Sequence, residues 1–185
     1  METNKEKFLR YYSLIKRAGS EELLNYIKGT DFFTAPASTR YHGNHEGGLV
    51  EHSVNVYERL SKSAKNYSPE TVAIVALLHD LCKANFYKID FRNVKQPDGL
   101  WVRVPYYAIE DKLPIGNHGE KSVFIIQKFM KLTDEEIAAI RYHMAAFQDG
   151  DIKGFGNACE KYPLTVLVHV ADMEATYFDD KVVKW

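Results

Sequence analysis

The sequence predicts an all-α helical bundle with one inserted β-hairpin at about residues 86–109. Apolar residues recur at helical intervals along most of the chain, and capping residues precede several of these segments. One segment instead alternates polar and apolar residues around Pro97-Asp98-Gly99, which is typical of a hairpin. The 185 residues suit a single domain, numbered 1–185, that can bury one core.

Composition indicates a soluble globular protein without an overall preference for nucleic acid or membranes. Hydrophobic residues make up 45% of the chain and charged residues 26%, and the formal net charge is −1. No apolar run approaches the roughly 18 residues that a membrane helix needs. The N-terminal segment METNKEKFLRYY has no apolar signal core, and the two cysteines form no disulfide framework. We therefore expect a cytoplasmic protein that does not enter membranes.

Residues 1–47 are predicted to form two short helices and a loop. An amphipathic pattern spans Glu6 to Lys16. Ser20 is placed to cap the helix EELLNYIK, which Gly29 ends. Proline and several glycines make residues 32–48 irregular.

Residues 48–178 are predicted to form the helical core. Ser68 followed by Pro69 marks one helix start, and Thr133 with Glu136 forms a capping box for another. Residues 147–156 are expected to be a flexible loop at the rim. The predicted helices are Leu49 to about Ala64, Ser68 to His79, Glu120 to Met130, Thr133 to about Met144, and Pro163 to Tyr177.

The hairpin segment mixes basic and aromatic residues. Its pattern favours a hairpin with one face packed and the other exposed to solvent. The alternative is a lid over an active site that binds phosphate and stacks on a base. The residues concerned are Lys83, Lys88, Arg92, Lys95 and Arg103, with Tyr87, Phe91, Trp101 and Tyr107.

Histidines and carboxylates interrupt the apolar helices. In AIVALLHDLCK, an apolar run ends in His79 and Asp80, although burying an unpaired charge is costly. A helical bundle can bring such residues together in its interior, where metal sites form. Imidazole and carboxylate ligands suit Mn, Fe, Co, Ni or Zn rather than Ca. The alternative is a set of hydrogen-bonded core histidines. The interrupting residues are His52, His79, Asp80, His118, His143 and Asp172.

This ordered set resembles the HD-domain metal-dependent phosphohydrolases. The stretch HDLCK is similar to the family's HD-x-x-K form, and His118 and His143 lie where the dinuclear branch has two further histidines. The segment HGNHEGGLVEHSVNV resembles the GGL-x-x-H opening of bacterial HD-domain 3′-5′ exoribonucleases. The resemblance covers residues 43–177 and implies a helical bundle of the HD-domain type.

The resemblance implies a site for two divalent transition metal ions. One ion would bind His52, His79, Asp80 and Asp172, and the second would bind His118 and His143. Asp80 would bridge the two ions, and a hydroxide held between them would attack the substrate. Asp80 and Lys83 are the catalytic candidates.

Substrate contacts are expected from positively charged residues around this site. Lys83 lies about one helical turn after His79 and therefore on the same face. The resemblance implies that it contacts substrate phosphate or metal-bound water, and the alternative is an ordinary lysine at a helix C-terminus. Each further candidate has a solvent-exposed surface position as its alternative; these are Lys121, Arg141, Arg92 and Arg103. Glu51 and Glu120 are candidates to accept hydrogen bonds from ligand histidines, and the alternative is a solvated carboxylate on a helix surface.

Three function classes remain open. The first is a phosphomonoesterase or phosphodiesterase acting on a phosphorylated small molecule, a nucleotide or a short nucleic acid. The second is a mixed-valent di-iron oxygenase, because that branch of the superfamily uses the same ligand order. The third is a non-catalytic metal-binding module. The complete ligand set argues against the third class, and Lys83 with the basic hairpin favours the first.

Overall fold

The computed structural model describes residues 2–145 and 150–183, which form eight α-helices and one antiparallel hairpin. The predicted fold class is therefore confirmed. Within the described ranges, no helix combines the length and the apolar character that crossing a membrane requires. The elements are α1 (Asn4–Tyr12), α2 (Ser20–Lys28), α3 (Gly48–Ser63), α4 (Pro69–Leu78), β1 (Tyr87–Lys95), β2 (Trp101–Ile109), α5 (His118–Ile126), α6 (Asp134–Arg141), α7 (Ile152–Lys161) and α8 (Leu164–Glu174).

Most helix starts follow from local capping. Ser68 accepts a hydrogen bond from the Thr71 backbone, and the Thr133 capping box is present as predicted. The predicted Ser20 cap is wrong, because Ser20 is already the first helical residue of α2. Gly19 precedes it with φ 87°, and a Cβ at Gly19 would lie 1.8 Å from the Phe129 carbonyl oxygen. Glycine is needed here for both the backbone conformation and the close approach.

Helix α4 lies at the centre of the bundle. It contacts α1, α3 and α6, and every side chain from Ala73 to Leu78 is fully buried. A helix that is apolar on all sides is stable only when neighbours surround it. The end of α4 therefore delivers His79 and Asp80 to the protein interior.

The predicted rim loop at residues 147–156 is wrong in part. Helix α7 begins at Ile152, and Asp151 accepts a hydrogen bond from the Gly154 backbone at its start. Gly154 and Gly156 lower the helix propensity of this segment, so its pattern resembles a loop. Phe147 lies outside the described residues.

The hairpin extends away from the bundle. Strands β1 and β2 pair from Tyr87 opposite Ile109 to Lys95 opposite Trp101. Phe86 is buried at the base, and the Tyr87 hydroxyl donates a hydrogen bond to the Ala37 carbonyl. Beyond the base most side chains of both strands are exposed, so the expected packing of one whole face is wrong.

Candidate metal centre

Five of the six predicted ligands converge where the end of α4 meets α3 and α8. The His52 Nε2 atom lies 3.1 Å from His79 Nε2 and 3.1 Å from an Asp172 carboxylate oxygen. Asp80 places Oδ2 3.4 Å from His79 Nε2 and Oδ1 3.6 Å from His143 Nε2. All five residues are buried.

Three of these histidines are oriented through their Nδ1 atoms. Each Nδ1 lies within 2.8 Å of an acceptor, so the tautomer protonated at Nδ1 leaves the Nε2 lone pair directed at the shared centre. This arrangement is typical of metal-bound histidines. The acceptors are the Ala76 carbonyl for His79, the Ile140 carbonyl for His143 and the Asp180 carboxylate for His52.

Asp180 is a site residue that sequence reasoning missed. Its Oδ2 accepts from His52 at 2.7 Å, its Oδ1 accepts from Asn55 at 2.8 Å, and its side chain is buried. In the sequence, Glu51 and Glu120 were the candidates for this orienting role. Glu51 instead accepts a hydrogen bond from Asn4, and Glu120 forms an ion pair with Arg141. The only sequence signal for Asp180 was an acidic pair after the last helix.

The charges and donor atoms of the centre match a divalent cation. Three carboxylates with buried side chains lie here, and of these Asp80 pairs with the buried ammonium group of Lys83, whereas Asp172 and Asp180 pair with His52. Among the described residues, Asp80 Oδ1 and His143 Nε2 are buried without a hydrogen-bond partner. Buried charge is tolerated when it is paired or binds a metal, and imidazole with carboxylate suits a transition metal.

The pKa shifts have the same electrostatic origin. Burial opposes the charged form of Asp80, but Lys83 and the neighbouring histidines hold the pKa of its carboxyl well below the ordinary value. Burial likewise opposes protonation of His52, but Asp172 and Asp180 raise its pKa to about 10. The carboxylates thus attract positive charge to this centre.

Lys83 lies beside Asp80 at the cavity that adjoins the centre. Its ammonium donates to Asp80 Oδ2 at 2.6 Å, and its side chain lines the adjoining cavity. Burial opposes protonation, yet the Asp80 carboxylate holds the pKa of Lys83 above its ordinary value. Lys83 is therefore a fixed cation beside the carboxylate that links the predicted ligands.

His118, the sixth predicted ligand, lies at the edge of the same cavity. It is the first residue of α5, and its Nδ1 lies 3.9 Å from the Cys82 sulfur. Burial lowers the pKa of His118 to about 4, so the ring is neutral and can act as a ligand near neutral pH.

A cavity of about 670 Å³ opens from the centre. This volume lies in the range of small-molecule binding sites. Asp80, Lys83 and Asp172 line its inner end, and Arg40, which the sequence did not single out, lines its outer wall. Its walls come from residues 37–42, from the hairpin base at Phe86, Tyr87 and Ile109, and from residues 173–182.

The other predicted substrate contacts do not line this cavity. Lys121 is buried, forms an ion pair with Asp111 and lines a neighbouring cavity beside His118. Arg141 forms its ion pair with Glu120 at 2.8 Å.

The two hairpin arginines lie on opposite faces. Arg92 is opposite Val104, and Arg103 is opposite Asn93 in the neighbouring pair. Because successive strand residues alternate between faces, Arg92 and Arg103 cannot contact one ligand on the same face.

The comparisons with known proteins give one match. The family model of the HD domain matches residues 49–175, more than half of the chain. All six predicted ligands fall in this range, whereas Asp180 lies beyond it. No curated protein and no solved structure matches the chain.

Proposed function

The chain belongs to the HD-domain family, and we propose that it hydrolyses a phosphate ester of a nucleotide or short nucleic acid with two divalent transition metal ions. HD domains are commonly metal-dependent phosphohydrolases. The observation that carries the proposal is the convergence of three histidines and two carboxylates at the inner end of an open cavity. The cavity volume suits a nucleotide.

The two oxygens of Asp80 support a dinuclear centre. Oδ2 faces His79 and His52, whereas Oδ1 faces His143. A carboxylate in this position can hold one ion through each oxygen. The first ion would be held by His52, His79, Asp80 and Asp172, and the second by Asp80, His118 and His143.

The protein supplies orientation and charge around these ions. Divalent ions bound here would polarise the phosphoryl group and lower the pKa of a bound water. Lys83 is placed to donate a hydrogen bond to a phosphoryl oxygen at the inner end of the cavity. Phe86 and Tyr87 give the wall an aromatic surface against which a base can pack.

Metal analysis with a substrate screen tests the proposal. Protein purified without chelator should carry two ions per chain, and His143→Ala should reduce this number to one. His45→Ala is the matched control, because His45 lies in the loop before α3 beside Glu51 and should leave both ions bound. The loaded protein should release phosphate from nucleotides, or p-nitrophenol from p-nitrophenyl phosphate or bis-p-nitrophenyl phosphate.

Two outcomes would contradict parts of this proposal. A fully loaded protein that never exceeds one ion per chain would exclude the dinuclear centre. Oxygen consumption by iron-loaded protein, without hydrolysis of any phosphate ester, would indicate the di-iron oxygenase instead.

A further inference from the structure

The two faces of the hairpin have different chemistry. Cross-strand partners share a face, and successive residues alternate between faces. One face, called here the aromatic face, consists of Tyr87, Ile89, Phe91, Asn93, Lys95, Trp101, Arg103, Pro105, Tyr107 and Ile109. The opposite face consists of Lys88, Asp90, Arg92, Val94, Val102, Val104, Tyr106 and Ala108.

The aromatic face exposes large apolar side chains to solvent. The exposed fractions are 66% for Ile89, 49% for Phe91, 67% for Trp101 and 59% for Ile109. Ile109, Ile89 and Phe91 belong to successive pairs of this face, and Trp101 lies beyond the Asn93–Arg103 pair. Single exposed apolar residues are common, but several on one surface mark an interaction site.

This face begins in the cavity of the metal centre. Tyr87 and Ile109 are the cross-strand pair at the hairpin base, and both line that cavity. From there the face continues through five of the nine cross-strand pairs to Lys95 and Trp101, over nine residues of each strand. At the usual rise of a strand, this length is about 30 Å, which is longer than a single nucleotide.

The charge of the aromatic face is positive. Lys95 and Arg103 lie on it, whereas none of its ten positions is acidic, and Asp90 lies on the opposite face. The Arg103 guanidinium lies 4.5 Å from the centre of the Phe91 ring, so a cation and an aromatic surface are presented together. Aromatic rings interleaved with cations are typical of surfaces that bind single-stranded nucleic acid.

We propose that the aromatic face binds single-stranded nucleic acid and guides one end of the strand into the metal cavity. The rings stack on successive bases, and Lys95 and Arg103 pair with backbone phosphates. The guiding role rests on the proposed phosphohydrolase function, whereas the binding role does not.

Fluorescence anisotropy with a hydrolysis-resistant phosphorothioate oligonucleotide of about ten nucleotides tests the binding. With the metal-loaded protein, Phe91→Ala and Trp101→Ala should each weaken binding about tenfold, because each removes a stacking surface. Tyr106→Ala is the matched control on the opposite face and should change the affinity less than about twofold. A mononucleotide should bind more weakly than the oligonucleotide and should be insensitive to Trp101→Ala.

The charges are tested by salt dependence. Arg103→Ala should lower the slope of log affinity against log salt by about 0.7, the value for one phosphate contact on a single strand. Arg92→Ala, on the opposite face, should leave the slope unchanged. Trp101 also provides a direct signal, since Trp185→Phe leaves it as the only tryptophan, and stacking of a base should quench its fluorescence.

The outcomes separate this inference from the proposed function. Suppose that bis-p-nitrophenyl phosphate is hydrolysed, but that substitutions on the two faces change oligonucleotide affinity equally or not at all. The proposed binding surface is then wrong, while the proposed hydrolase function stands. If the aromatic face binds the oligonucleotide but no phosphate ester is cleaved, the hydrolase is wrong while the surface stands. A dimer that Trp101→Ala converts to a monomer would assign the face to a second copy and overturn the inference.

Discussion

The metal centre and the outer hairpin differ in what they bury and what they expose. At the end of α4, three carboxylates and an ammonium group lie in the interior. On the hairpin, Phe91 and Trp101 lie in solvent. Each arrangement costs free energy by itself, because buried charge loses hydration and exposed aromatic surface orders water. Both regions are therefore where we propose a ligand, a divalent cation at the metal centre and single-stranded nucleic acid on the aromatic face.

The largest effect on metal binding and hydrolysis is expected when the Asp80 carboxylate, which links the converging ligands, is removed. Asp80→Ala should abolish metal binding and hydrolysis together, because both oxygens of Asp80 face histidines of the centre. Asp90→Ala is the matched change on the hairpin and should leave metal content intact. Metal analysis and turnover of bis-p-nitrophenyl phosphate provide the two measurements. Wild-type turnover in Asp80→Ala would show that the chemistry occurs elsewhere.

The next effect concerns the residue that orients His52. Asp180→Asn keeps the shape of the side chain but weakens it as an acceptor for His52 Nδ1. We expect metal affinity, measured by competition with a chelator, to fall about 10- to 100-fold, with little change in thermal stability. Asp179→Asn is the adjacent control, because Asp179 pairs with Arg59 instead. Equal affinities in the two variants would remove Asp180 from the metal centre.

The third prediction concerns a buried ion pair that should stabilise the fold without contributing to metal binding. Arg17 donates two hydrogen bonds to the buried Glu136 carboxylate, and neither residue is among the predicted metal ligands. Arg17→Ala should lower the free energy of unfolding by about 2 kcal/mol, because it leaves that carboxylate without its cation, and should not change metal content. Denaturation by urea measures the change, with Arg10→Ala, which breaks an exposed pair, as a control of little effect.

The Arg17 effect should depend on pH in one direction. Burial opposes ionisation of Glu136, but hydrogen bonds from Arg17 and the Thr133 backbone lower its pKa below the ordinary value. The stabilisation is therefore complete above about pH 4.3, the pKa of an unfolded glutamate, and is lost as the pH falls through the lower folded pKa. The difference between wild type and Arg17→Ala should shrink in acid; a difference that grows there would contradict the assignment.

The smallest expected effect on stability is at the hairpin tip. Replacing residues 95–101 by Asn-Gly leaves a two-residue turn between Val94 and Val102, which are already cross-strand partners. The free energy of unfolding should change by less than about 0.5 kcal/mol, because the removed side chains are largely exposed. Metal content should not change, but oligonucleotide affinity should fall. A large loss of thermal stability would show that the outer hairpin is part of the folding core.

The sequence by itself determined the bundle, the hairpin and the set of candidate ligands. These depend on local signals: helical periodicity, the Ser68 and Thr133 caps, and the HDLCK stretch after an apolar run. Such features depend on residues that are close together in the sequence, so they can be identified without knowledge of the folded structure.

Only the tertiary structure showed which of the candidate ligands and substrate contacts lie together, and which residues surround them. Asp180 reaches His52 across 128 positions of sequence, and no local pattern encodes a contact of that separation. The partner of Lys121 and the opposite faces of Arg92 and Arg103 likewise depended on the path of the chain and the strand register. Periodicity indicates which side of an element a residue occupies, whereas its partner depends on how distant elements pack, and only the folded chain specifies that packing.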